Sequence, residues 1–333
     1  MKGDFRMSDK TGIAWTDATW NPVTGCSKVT EGCRHCYAER VWPRLAASPG
    51  RYFGREFGDV RIHPEVLEQP LRWNRHRRIF VNSMSDLFHP SVPDDFIDRV
   101  FAVMALAKQH TFQILTKRPE RMKSYMDLSG DTRWAAIEKA MVMNDWKFNI
   151  SDKFRDLDRG LFPPPNVWLG VSVEDQKTAN ERIPLLLETP SLFRWVSIEP
   201  MIGPVSFRWA PWHETYYEDP KLQPGYVRMN HLDGLRRIDW IVAGGESGPD
   251  ARPMDAGWVR ILAGECQEAG VPLFVKQLGA AYSDPLNGVA GAGLKVADAA
   301  LPLVAVRLKH RSGADPAEWP QDLRVRELPK AKK

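Results

Sequence analysis

No stretch of this 333-residue chain offers about 18 consecutive apolar residues, so none of it reads as a membrane span. The opening segment, MKGDFRMSDKTG, lacks the apolar core of a secretory signal. The expected compartment is the cytoplasm, where thiols stay reduced. Cysteine is scarce, with four in the whole chain. Neither His-x-His nor His-Glu-x-x-His occurs, which counts against a histidine-bound metal hydrolase built on the acidic residues. Neither sign of charge dominates: 46 Lys and Arg face 42 Asp and Glu, for a formal net charge of +4. So mild an excess permits a nucleic-acid partner without requiring one.

What is present is a chain long and apolar enough to bury a large core, 43% hydrophobic with 13 tryptophans. Short apolar runs alternate with helix-like segments. Strands are expected at Arg78–Ser83, Phe112–Thr116, Val167–Ser172, Arg194–Pro200, Asp239–Gly245 and Val271–Gln277, with an earlier one inside GIAWTDATWNP. Helical patterns follow several of them. One places Phe96, Val100, Val103, Met104 and Ala107 on one face behind Pro93, and another closes at Gly270. Continuous apolar strands alternating with helices mean a parallel sheet covered by helices. Seven or so such units predict an α/β fold, a full or partial TIM-like barrel, with a doubly wound sheet as the alternative. One domain spanning 1–333 is expected, with insertions near 127–166, 207–237 and 280–315 and a disordered basic tail at 328–333.

Each expected strand ends in polar residues. These are Ser83-Met84-Ser85-Asp86, Thr116-Lys117-Arg118, Ser172-Val173-Glu174, Ile198-Glu199-Pro200, Gly244-Gly245-Glu246-Ser247 and Lys276-Gln277. One such cluster reads as a helix cap. Six of them, on strands whose C-terminal ends share a barrel rim, read as a polar ligand site.

Three of the four cysteines crowd into GCSKVTEGCRHCYAER, as Cys26, Cys33 and Cys36 in a C-x6-C-x2-C spacing ahead of a helix that begins near Tyr37. In a reducing compartment, clustered thiols turn toward metal or redox chemistry. A closed zinc site wants four ligands, and His35 is the nearest candidate for the fourth. Cys266 lies in mid-helix, the position of an inert packed thiol. A [4Fe–4S] cluster on three thiolates instead leaves one iron open to a small molecule, so that the fourth ligand is the substrate or cofactor.

These stretches resemble the radical S-adenosylmethionine superfamily. More closely, the chain resembles a phage- and mobile-element-associated three-Cys-motif family. The matching segments include TGIAWTDATWNPVTGCSKVTEGCRHCYAER, VNSMSDLFHP, ILTKRPERM, VWLGVSVED, SIEPMIGPV, DWIVAGGESGPDARPM, PLFVKQLG and DPAEWPQDLRVRELP. The six residues between the first two cysteines exceed the superfamily's commonest spacing, and His35 stands where an aromatic residue is frequent. The resemblance implies that Cys26, Cys33 and Cys36 hold a [4Fe–4S] cluster. It implies that this cluster cleaves S-adenosylmethionine reductively to a 5′-deoxyadenosyl radical that abstracts hydrogen from a substrate. Carried over by position, Ser83, Ser85 and Asp86 meet the cofactor's amino group, and Lys117 or Arg118 its carboxylate. Ser172 and Glu174 fall at its ribose, and Glu199, Gly244, Gly245 and Glu246 at its adenine edge or at the substrate. An electron donor such as flavodoxin or ferredoxin is implied as a partner.

The run RWNRHRR carries Arg72, Arg75, Arg77 and Arg78 around an aromatic residue and suits phosphate contacts, which points to a nucleic acid or nucleotide substrate. The competing reading is a zinc-stabilised nucleic-acid-binding protein without turnover. The strand-end carboxylates Asp86, Glu174, Glu199 and Glu246 count against it.

Overall fold

The computed structural model describes residues 11–127, 130–143, 146, 149–157, 159–208, 217–218, 227–228, 232–284 and 305–329. Seven strands form one parallel sheet: β1 (Ala18–Trp20), β2 (Arg78–Val81), β3 (Thr111–Thr116), β4 (Val167–Val173), β5 (Arg194–Ile198), β6 (Trp240–Gly244) and β7 (Leu273–Gln277). Their order across the sheet is their order along the chain. A doubly wound sheet would reverse direction at a switch point, and this one does not. Right-handed crossovers that always step the same way keep their helices on one face and curl the sheet, which makes it a partial (β/α) barrel. Among the described residues, six α-helices of eight or more residues accompany the strands: α1 (Tyr37–Ala46), α2 (Asp94–Leu106), α3 (Pro119–Met126), α4 (Gly130–Met143), α5 (Gln176–Glu188) and α6 (Ala256–Ala269).

The chain divides into two compact units. One comprises Met1–Val171 with Leu185–Trp195, the other Ser172–Pro184 with Val196–Lys333.

In the first unit, β2 pairs with β1 and β3, setting Phe80 opposite Thr19 and Gln113. Trp15 meets Phe80 and Trp195 edge-on, with ring centroids 4.8 and 5.2 Å apart. The Trp195 indole donates to Ile114 O at 3.1 Å and lies against Gly170, where a Cβ would stand 2.5 Å from Nε1. Only glycine admits the indole there. The sequence pattern gave α2 one apolar face, but ten of its thirteen residues are buried. The reason is α4, which the expected insertion at 127–166 supplies and which packs on α2. A buried ion pair fixes that contact: Arg133 Nη1 donates to Asp98 Oδ1 at 2.9 Å, and Tyr125 Oη donates to the same oxygen at 2.7 Å.

In the second unit, Asp255 caps α6 by accepting from Gly257 N at 2.7 Å. Gly270 ends the helix with φ +72°, the left-handed conformation in which glycine is favoured. The expected 280–315 insertion contributes strands Ala281–Ser283 and Ala305–Arg307 to a small sheet with Met254–Asp255. Residues 209–216, 219–226, 229–231 and 285–304 of the expected insertions, and 330–333 of the expected tail, lie outside the described residues. Among the described residues, no helix is long and apolar enough to cross a membrane.

Candidate functional site

The chain leaves β1 at Asn21 and reaches the first cysteine through a short strand, Val23–Thr24, paired antiparallel with Arg61–Ile62. Gly25 then turns with φ +88°, and a Cβ there would stand 2.4 Å from the Asp59 carbonyl oxygen. No other residue fits against that backbone. Cys26 N donates to Phe57 O at 3.0 Å, while Gly25 N donates to Met84 O at 3.2 Å. The first cysteine is therefore clamped between residues 57–59 and the turn that ends β2. Arg55 secures the clamp: Nε donates to Asp59 Oδ2 at 3.0 Å and Nη1 to Thr24 Oγ1 at 2.9 Å. Asn21 braces the other side, its Oδ1 accepting from Ser83 Oγ and Met84 N, each at 3.1 Å. Asn21, Arg55 and Asp59 have no role in the sequence reading. Only Gly25, placed directly before a cysteine, signals the turn.

Cys33 ends a 3-10 turn, and Cys36 is the N-cap of α1. Cys26, Cys33 and Cys36 are free and half-buried. Burial pushes the Cys26 thiol up to about 11, with Asp86 and Cys33 adding to the rise and Arg118 opposing it. Burial also raises Cys36, against the N–H groups of Glu39 and Ala38 in the first turn of α1. Cys33 contributes to the rise of both Cys26 and Cys36. Burial disfavours the thiolates of Cys26 and Cys36, and a cation's charge would restore them, so this donor set fits a thiolate-bound metal centre. Among the described residues, no three His, Cys, Asp or Glu side chains gather as ligands of a single ion.

Three of the predicted residues meet beside Cys26. The nearly buried Asp86 carboxylate accepts from Thr116 Oγ1 at 2.8 and 2.9 Å, from Lys117 N at 3.2 Å and from Arg118 Nη1 at 3.0 Å. Arg118 Nη1 also lies 3.8 Å from Cys26 Sγ, and its Nη2 donates to Ser27 O at 2.9 Å and Ser27 Oγ at 3.0 Å. On the far side of Ser27, His89 Nε2 stands 2.8 Å from Oγ. His89 Nδ1 receives the Ser91 N–H at 3.1 Å, so Nε2 carries the ring hydrogen and donates. Burial, aided by Arg118, holds His89 below its ordinary pKa and keeps the ring neutral. Ser85, expected at the cofactor's amino group, donates through Oγ to Val23 O at 2.8 Å. Ser83 O accepts from Tyr37 Oη, tying the start of α1 to the same turn.

In the second unit the predicted acids are likewise paired. Glu174 meets Arg182 Nη1 at 3.2 Å from both carboxylate oxygens, and Ser172 Oγ donates to Glu199 O at 3.2 Å. Lys276 Nζ stands 2.9 Å from Glu199 Oε1, and a Cβ on Gly244 would come within 2.8 Å of that oxygen. Gly245 packs against Leu278 O, which a Cβ would approach to 2.4 Å. Glu246 holds Arg252 in a fork, with Nη2 at 2.8 Å from Oε1 and Nε at 3.1 Å from Oε2. Each strand-end carboxylate thus faces a cation, and the sequence reading assigned no role to Arg182 or Arg252.

The basic run stands apart from the cysteines. It precedes β2, at the N-terminal ends of the strands, whereas Cys26 and Asp86 follow the C-terminal ends of β1 and β2. Arg78 grips Asp17, with Nη2 3.0 Å from Oδ1 and Nε 3.2 Å from Oδ2. Arg77 lies over the Trp73 ring at 4.8 Å, and Arg72 Nη2 is 3.0 Å from Glu68 Oε2.

Fold and site together define a partial (β/α) barrel with three free thiols in the loop after its first strand. The chain belongs to the family described as protein of unknown function (DUF5131), whose profile matches residues 10–315. No curated protein matches it. Among solved structures it is similar to a cysteine-to-serine mutant of spore photoproduct lyase, at 11% identity and TM-score 0.36, covering 71% of this chain and 57% of that one. It is also similar to spore photoproduct lyase complexed with dinucleoside spore photoproduct, at 10% identity and TM-score 0.32, covering 74% and 59%. The chain thus spans less than two thirds of either lyase chain. Likeness at this level carries nothing about activity.

Proposed function

We propose that this chain is a radical S-adenosylmethionine-type enzyme carrying a [4Fe–4S] cluster on Cys26, Cys33 and Cys36. The supporting observation is the placement of three free, half-buried thiols directly after the first strand of a parallel partial barrel. When bound, such a cluster supplies an open iron for the amine and carboxylate of S-adenosylmethionine and the electron that cleaves it. The chain's own residues hold and tune that centre. Gly25 and the Arg55–Asp59 clamp aim Cys26. The first-turn N–H groups of α1 partly offset the burial that raises Cys36. Asp86 and Ser27 lock the Arg118 cation beside Cys26. In this reading Lys117 faces the cofactor, and the substrate is a nucleic acid or nucleotide. A flavodoxin or ferredoxin of the cytoplasm donates the electron, and the setting is a phage or other mobile element.

Anaerobic purification and reconstitution tests this reading. A brown protein with about four irons and four sulfides per chain is expected. The electron paramagnetic resonance spectrum of the reduced protein should change when S-adenosylmethionine is added. Stoichiometric zinc without iron would overturn the proposal.

A further inference from the structure

We infer that Arg118 tunes the reduction potential of the centre on Cys26, acting as a hydrogen-bond donor to the cysteine sulfur rather than as a clamp on the cofactor's carboxylate. The inference rests on the proposed cluster. Its geometric basis is the guanidinium itself. Nη1 is directed at Asp86 Oδ2 and Cys26 Sγ, at 3.0 and 3.8 Å, and Nη2 is taken up by Ser27 O and Ser27 Oγ at 2.9 and 3.0 Å. A guanidinium spread over those four acceptors has no free edge of two parallel N–H groups for a further carboxylate.

The fork is rigid because both of its anchors are held. Asp86 is fixed by the Thr116 hydroxyl and the Lys117 N–H, and Ser27 Oγ by the His89 Nε2 hydrogen. The Arg118 side chain is 12% exposed, so its charge acts on the sulfur with little water between them. Adding an electron to a thiolate-bound cluster increases the negative charge that its sulfur ligands share. A fixed cation and N–H group at the sulfur favour that reduced state and raise the potential. Asp86 lies in the same group and carries the opposite charge, so it pulls the potential down. The pair therefore sets the potential by opposed contributions, and that predicts shifts of opposite sign.

The measurement is a redox titration of the reconstituted holoprotein with dithionite as the one-electron donor, monitored by electron paramagnetic resonance without S-adenosylmethionine. Arg118→Gln should shift the midpoint to a more negative value. Asp86→Asn, which leaves the arginine charge uncompensated, should shift it to a more positive one. Arg118→Lys keeps the charge on a single nitrogen and should give a smaller negative shift, which keeps the test alive if the glutamine variant does not take up iron. A wild-type protein without iron would bring down the proposed function and this inference with it. A wild-type cluster whose midpoint is unmoved by these changes, or moves the same way in Arg118→Gln and Asp86→Asn, would overturn the inference alone. So would loss of the cluster from every Arg118 variant, because the residue would then be scaffolding for the loop.

Discussion

Arg182 Nη1 lies 3.2 Å from both carboxylate oxygens of Glu174 and donates to Ser172 O at 2.6 Å. Both side chains are almost wholly inaccessible, at 4% and 1%. A carboxylate that the family resemblance assigns to a ribose hydroxyl is thus matched by a cation from α5. Asp86 with Arg118, Glu199 with Lys276 and Glu246 with Arg252 repeat the relationship.

Removing one member of the Glu174–Arg182 pair leaves a buried charge uncompensated. Arg182→Met should lower stability by about 3–5 kcal/mol in a urea titration. The double variant Glu174→Gln, Arg182→Met should lose clearly less than the single one. A single-variant loss below about 1 kcal/mol, the size of an exposed pair, would make Glu174 a ligand-facing group again.

Gly25 touches no metal, yet the direction of Cys26 depends on it. Gly25→Ala forces a Cβ against the Asp59 carbonyl in a backbone conformation with φ +88°. The expected result is a far-ultraviolet circular dichroism spectrum like the wild type's with iron incorporation reduced severalfold. Normal iron content in this variant would show that the clamp at residues 57–59 does not aim the cysteine.

Cys266 is set apart from the other three thiols by its surroundings in α6. Burial, with Glu265 and Glu327 adding, pushes it from the ordinary 9.0 up to about 12. A thiol whose folded value lies above its unfolded one contributes its full stability below about pH 9 and loses it as the pH climbs toward 12. Cys266→Ala should therefore flatten the fall in stability over that alkaline window while leaving iron content unchanged. In the native wild type, iodoacetamide at pH 8 should leave Cys266 unlabelled until denaturant is added.

The basic run makes a separable prediction, because it lies at the strand ends opposite the cysteines. Arg75→Ala with Arg77→Ala should reduce the slope of log affinity against log salt by about 0.9 for each duplex phosphate the two arginines neutralise, or about 0.7 on a single strand. Arg78 is left out of that pair because Asp17 already holds it. Filter binding at low salt is the check. A wild type that retains neither DNA nor RNA would make RWNRHRR a solvated stretch that also anchors β2.

Much of the architecture was legible in the residues. All seven strands of the parallel sheet and the helices from Tyr37, Asp94 and Ala256 fall where the apolar pattern, Pro93 and Gly270 place them. Continuous apolar runs and helix ends are local properties, set by which neighbours a residue has along the chain. The cysteine loop is local too, since its spacing places three thiols within one short segment. The partners of the polar residues were not local. Glu199 finds Lys276 and Asp86 finds Arg118 because the strands bearing them enter one sheet in a given register, and α2 is covered on its second face because α4 docks there. A charge signals in the sequence that it must be satisfied, but whether by a ligand or by another side chain depends on which long-range neighbour the packed core brings within hydrogen-bonding distance.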